Sequence, residues 1–131
     1  MMQSGSLRKI LQKAQKTANL SLGVGRNKNY RVGAVLFDKR ENILACKFNS
    51  YKTHPILSKF TKYPHLHAEQ ACLLHRGLDN CEGLSILVTR VKHPNNTLTM
   101  ASPCDVCMNM LKLAGIKNIY YTGWSGELLC K

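Results

Sequence analysis

The spacing of apolar positions changes several times along this chain, and each change predicts an element. In residues 7–20, Leu7, Ile10, Leu11, Ala14 and Ala18 recur at helical spacing behind Ser6, a residue suited to capping. An amphipathic first helix is predicted, with Arg8, Lys9, Lys13 and Lys16 on its other face. Residues 23–30, rich in Gly, Asn and basic side chains, read as a loop. RVGAVLF (31–37) and NILACKF (42–48) then flank residues 38–41, the pattern of two strands in a hairpin with a four-residue connection. Residues 49–65 hold Pro55, Pro64, Tyr51, His54, Phe60 and Tyr63 without clean periodicity, and loops this long in compact domains are usually functional or disordered.

From His67 the helical period returns. Ala68, Ala71, Cys72 and Leu74 are placed for a buried helix that Gly77 closes. Residues 84–91, LSILVTRV, form a β-rich apolar run, and HPNNTLTM after it reads as a loop or short excursion. PCDVCMNMLKLAG reads as a helix with Pro103 in its first turn and Gly115 beyond its end. IKNIYYT supplies a fourth strand, and ELLC beyond the turn at 123–126 a short fifth. The order αββαβαβ, with a possible last β, predicts a three-layer α/β/α domain around a mixed sheet of four to five strands.

Composition narrows this to one domain over residues 1–131, because 131 residues with 44% hydrophobic content bury one core and are too few for two ordinary ones. The apolar stretches are too short to span a membrane, and charge interrupts the N-terminal segment, so neither a membrane segment nor a signal peptide is expected. The expected compartment is the cytoplasm, the host's if the gene is a phage's. Six cysteines, two of them as Cys-x-x-Cys behind a proline, then suit a reduced, metal-binding protein better than a disulfide framework. The net charge of +12 is uneven: residues 1–66 carry thirteen Lys/Arg against Asp38 and Glu41, and residues 67–131 carry six against five acids. A basic first half favours an anionic partner, whether a nucleotide phosphate or a nucleic acid backbone, although it also suits a solvated lysine-rich face.

The candidate chemistry lies in His67-Ala-Glu69 opening one helix and Pro103-Cys104-Asp-Val-Cys107 opening another. Cysteines three apart in a first helical turn present both sulfurs on one side, and the positive helix end favours the thiolates a metal needs. With His67 as a third ligand the set suits zinc and leaves a fourth position for water. Glu69, two residues from His67, can take a proton from an attacking water and return protons to a ring nitrogen and a leaving ammonia.

The H-x-E…P-C-x-x-C pattern is the signature of zinc deaminases acting on nucleobases. Together with VGAV (32–35), Asn49, SILVT and the strand after AGIK, it makes nearly the whole chain resemble the cytidine/deoxycytidylate deaminase superfamily. NSYKTHP followed by YPHLHAE looks like small phage and bacterial members. The resemblance implies zinc on His67, Cys104 and Cys107, catalysis by Glu69, and substrate contacts from Asn49, Gly33, Ala34, Val35, Ala68 and Ser102. It also implies a homo-oligomer. Free-nucleoside cytidine deaminases typically carry a third cysteine where His67 stands, and relatives of the tRNA adenosine deaminases often carry Glu where Ser102 stands. Cytosine is therefore expected over adenine, on a phosphorylated substrate such as deoxycytidylate. The cysteine-bearing loop of many deoxycytidylate deaminases is missing, and the C-terminal helix common in nucleic-acid editors is not expected.

Two other readings stand beside this one. The first is a deaminase acting on single-stranded DNA or RNA, with the basic half as its tracking surface. The second is a non-catalytic nucleic-acid-binding domain whose zinc is structural, completed by Cys72 or Cys46. Otherwise Cys46, Cys72, Cys81 and Cys130 read as buried thiols, Trp124 as a packing residue at the end of the sheet, and His65 as a loop residue beside the site. Arg26, Lys28, Lys52 and Lys62 are candidate phosphate contacts, and Tyr51, His54 and Tyr63 candidate stacking groups.

Overall fold

The computed structural model describes residues 5–21, 31–50, 66–92, 95 and 97–131. Its elements are α1 (Gly5–Asn19), β1 (Arg31–Phe37), β2 (Ile43–Phe48), α2 (Ala68–Arg76), β3 (Ser85–Lys92), β4 (Thr97–Thr99), α3 (Asp105–Leu113), β5 (Asn118–Thr122) and β6 (Leu128–Cys130), with a 3-10 turn at Leu78–Asn80. The strands form one mixed sheet in the order β2-β1-β3-β5-β6, and β4 pairs with β3 off that path. Only β3 and β5 are parallel neighbours; the other pairs are antiparallel.

Alternation along β1 and β3 assigns the two faces. Val35, Phe37 and Leu87 pack with Leu7, Ile10 and Ala14 of α1. Ala34, Leu36, Ile86 and Val88 pack with Ala68, Cys72 and Leu73 of α2 and Leu111 of α3. The register pairs Ala34 with Val88, Val35 with Leu87 and Leu36 with Ile86, so each layer is continuous across the two central strands. Strands covered on both faces read as unbroken apolar runs, and that is why VGAVLF and SILV show no polar alternation. Each fully buried Leu or Ile here stabilises the fold by roughly 1.5–3 kcal/mol.

This topology decides where the helices begin. β2, β3 and β5 run parallel, and the crossovers β2–α2–β3 and β3–α3–β5 progress in the same direction across the sheet. Right-handed crossovers in one direction put both helices on one face and both helix starts at the same sheet end. Backbone bonds pin those starts. Ser50 and Leu66 exchange N–H···O bonds of 3.0 and 2.8 Å just before α2. Before α3, the Ala101 N–H donates to Thr122 O at 2.8 Å, and the Thr122 hydroxyl donates to Thr99 O at 2.7 Å.

The strand at Thr97–Thr99 corrects the expected loop: β3 runs past the end of β5, and its free edge at Arg90–Lys92 is taken by these residues. The two asparagines and the proline before them hid that strand. Asn42 also leaves β2, because the Asp38 carboxylate accepts the N–H groups of Arg40 and Asn42, each at 2.9 Å, and lengthens the hairpin connection. Cys72 and Cys81 are buried as expected, but Cys46 is half-buried and Cys130 exposed, since β2 and β6 are the sheet edges. Trp124 is 72% exposed and packs no core; it sits in a tight turn that projects beyond β5 and β6.

α1 approaches β1 most closely at Gly33, where an added Cβ would meet Ala14 O and lie 2.5 Å from Ala18 N. Both neighbours are backbone and cannot swing away. Gly33→Ala is therefore expected to destabilise the fold by about 2–3 kcal/mol, read as a fall in melting temperature of roughly 5–15 °C. An unchanged melting temperature would show that α1 is free to shift.

Candidate metal centre

His67 is the N-cap of α2 and Cys104 the N-cap of α3, so Pro103 stands just before its helix rather than in the first turn. Cys107 is three residues on, in the first turn of α3. The shared sheet end brings the three together: His67 Nδ1 lies 3.7 Å from Cys104 Sγ and 3.2 Å from Cys107 Sγ. All three donor atoms fall within 4.8 Å of one another.

This arrangement fits zinc. Tetrahedral Zn–S and Zn–N bonds of about 2.3 and 2.0–2.1 Å separate neighbouring donors by roughly 3.6–3.8 Å, close to the observed spacings. The protonation pattern agrees with a site built for a cation. Hydrogen bonds from Cys107 and then His67 pull the Cys104 thiol down to about 3. That thiolate in turn raises the His67 imidazole and, with burial, the Cys107 thiol. One negative sulfur thus shares its neighbours' protons, a role a divalent cation would take over.

Glu69 follows in the first turn of α2, 4% exposed. Burial raises its carboxyl above the ordinary range, against the opposing pull of its own backbone N–H and of His67. A buried acid holds its proton more tightly than one in water.

The other sequence-predicted residues are distributed around this cluster. Asn49 ends β2 next to the Ser50–Leu66 bridge, and its Oδ1 accepts from the Val32 N–H at 3.0 Å and the Ser21 hydroxyl at 2.7 Å. Gly33, Ala34 and Val35 lie in the central strand with their backbone in the ladder; Gly33 and Val35 face α1, and Ala34 faces α2. Ala68 is fully buried between α2 and the sheet. Ser102, half-buried, accepts from Lys131 Nζ at 3.3 Å, and that ammonium also sits 5.5 Å over the Tyr121 ring. Cys72 donates to Ala34 O, and Cys46 packs toward α1, so neither suggested fourth ligand joins the cluster. Arg26, Lys28, Tyr51, Lys52, His54, Lys62, Tyr63 and His65 fall outside the described residues.

Sequence reasoning missed Gln70 and Ser21. Gln70 stands three residues after the N-cap, where a Glu or Gln completes a capping box, but a histidine cap does not announce that motif. Ser21, at the end of α1, carried no local signal.

A three-layer α/β protein with a His/Cys/Cys cluster and a buried glutamate at paired helix starts is the class these features define. Residues 5–123 match the family described as the cytidine and deoxycytidylate deaminase zinc-binding region. The chain belongs to that family. No curated protein matches it. Among solved structures, it is similar to the dCMP deaminase of cyanophage S-TIM5, at 22% identity and TM-score 0.64 over 93% of this chain and 86% of that one. It is also similar to the cytidine deaminase of Burkholderia pseudomallei, at 15% identity and TM-score 0.65 over 95% of this chain and 90% of that one. Both share its fold.

If His67, Cys104 and Cys107 hold zinc, the wild-type protein is expected to retain about one equivalent per chain and His67→Ala and Cys104→Ser each to lose it, measured by atomic absorption after dialysis. Unchanged metal content would mean that other groups hold it. In metal-free protein the Cys104 thiolate is populated above about pH 3, so iodoacetamide at about pH 6 should label Cys104 first and zinc should block it. Labelling of Cys104 confined to alkaline pH would contradict the lowered thiol.

Proposed function

We propose that this protein is a zinc-dependent hydrolytic deaminase converting a cytosine-bearing nucleotide, deoxycytidylate or a close analogue, to its uracil counterpart with release of ammonia. The observation that carries this reading is the buried Glu69 carboxyl beside the cluster of His67, Cys104 and Cys107, the three donors that come together among the described residues. A metal with purely structural duty has no use for an acid there.

His67, Cys104 and Cys107 would hold the ion, which when bound supplies Lewis-acid activation of water at neutral pH. Glu69 accepts a proton from the attacking water, delivers it to N3 of the base, and then carries the second proton to the departing amine as the C4–N bond breaks. Water and the cytosine amine become a C4 carbonyl and ammonia, so the protons balance. Burial of Glu69 suits both steps, because the raised proton affinity makes the carboxylate a better acceptor and leaves its acid form able to donate. Asn49, the Gly33–Val35 backbone, Ala68 and Ser102 are proposed to shape the pocket, and the basic first half to favour a phosphate.

A polynucleotide substrate has less support. Arg8, Lys9, Lys13 and Lys16 are exposed on α1, which covers the sheet face opposite the metal cluster. Those cations cannot guide a strand directly to Glu69. No helix among the described residues is long and apolar enough to cross a membrane. A cytoplasmic location, and association with copies of itself by analogy with the superfamily, belong to the same proposal.

Incubation with cytosine and adenine nucleosides, nucleotides and labelled oligonucleotides, read by product mass and ammonia release, tests the substrate. Glu69→Ala at equal zinc content should lose about 10²- to 10⁴-fold in turnover. Full activity in that variant would sink the mechanism.

A further inference from the structure

A buried amide links the two helices that bear the candidate ligands. Gln70 is 1% exposed, although its side chain is fully polar. Its Oε1 accepts the His67 backbone N–H at 3.0 Å. Its Nε2 lies 3.6 Å from Met110 Sδ on α3, one turn beyond Cys107. One end therefore completes the cap of the helix that starts with a metal ligand, and the other rests on the helix that supplies the two sulfurs.

We propose that Gln70 is a positioning residue for the metal centre: its carboxamide fixes the backbone of His67 and ties it to α3, holding Nδ1 at ligand distance from Cys104 and Cys107. Removing a partner from a buried amide leaves polar groups unsatisfied, so the geometry is enforced and not merely tolerated. The residue type follows from the two contacts. A glutamate would supply the acceptor for His67 but place a second carboxylate beside buried Glu69, and a serine would not reach Met110. Gln70 touches no substrate in this scheme and acts through His67.

The inference rests on the proposed zinc site, and the test separates the two. Zinc retention against a chromogenic chelator, and the visible spectrum of cobalt-substituted protein, would be measured for wild type, Gln70→Met, Met110→Leu and Ile86→Val. Gln70→Met fills the space without the hydrogen bonds and should loosen zinc at least about tenfold, with shifted cobalt bands. Met110→Leu should loosen it less. Ile86→Val, which thins the core near the start of β3, at the sheet end away from the two helix starts, should melt earlier yet hold zinc as the wild type does. Wild-type retention in Gln70→Met overturns the proposal. If that variant does not fold, wild-type retention and spectrum in Met110→Leu overturn it instead. A wild-type protein that binds no zinc removes the site itself and this role with it. Zinc bound without ammonia release from any nucleotide overturns the reaction alone, because the retention assay needs no turnover.

Discussion

The common direction of the two crossovers is the constraint on which the rest of the structure depends. β2, β3 and β5 run parallel, and α2 and α3 return over one face of the sheet, so both helices must begin at one end. Two helix starts side by side make a place where thiolates are stabilised and donors converge. Residues 37 positions apart in sequence come within metal-ligand reach for that reason alone. The cluster is a consequence of sheet order before it is a consequence of residue identity.

Stability and chemistry are divided between the two sheet faces. The α1 face is mainly apolar, with Thr17 and Thr89 buried in it, and closes where Gly33 lets the helix backbone settle on β1. The opposite face accepts polar burial: Glu69 and Gln70 are both enclosed there among alanines, leucines and thiols. Such groups weaken a core unless they are bonded, and Gln70 is bonded to the His67 backbone. The exposed cations of α1 lie on the far face, away from the cluster.

Family membership and fold agree with the site, and the agreement is coarser than a substrate. The two solved relatives carry different substrate descriptions on the same architecture. A shared scaffold therefore does not by itself select a substrate.

The sequence by itself determined the elements with strong local pattern and the residues with unmistakable chemistry. Helices α1 to α3, the apolar strands β1 and β3, and the quartet His67, Glu69, Cys104 and Cys107 are legible because period and ligand spacing are local properties. Tertiary structure alone decided what depends on distant neighbours. Thr97–Thr99 becomes a strand only because β3 overruns β5, and Trp124 is left in solvent only because its turn projects past the sheet. Gln70 acquires its meaning from a sulfur forty residues away. Local sequence specifies what a segment prefers; which groups it meets is set by the order of strands in the sheet.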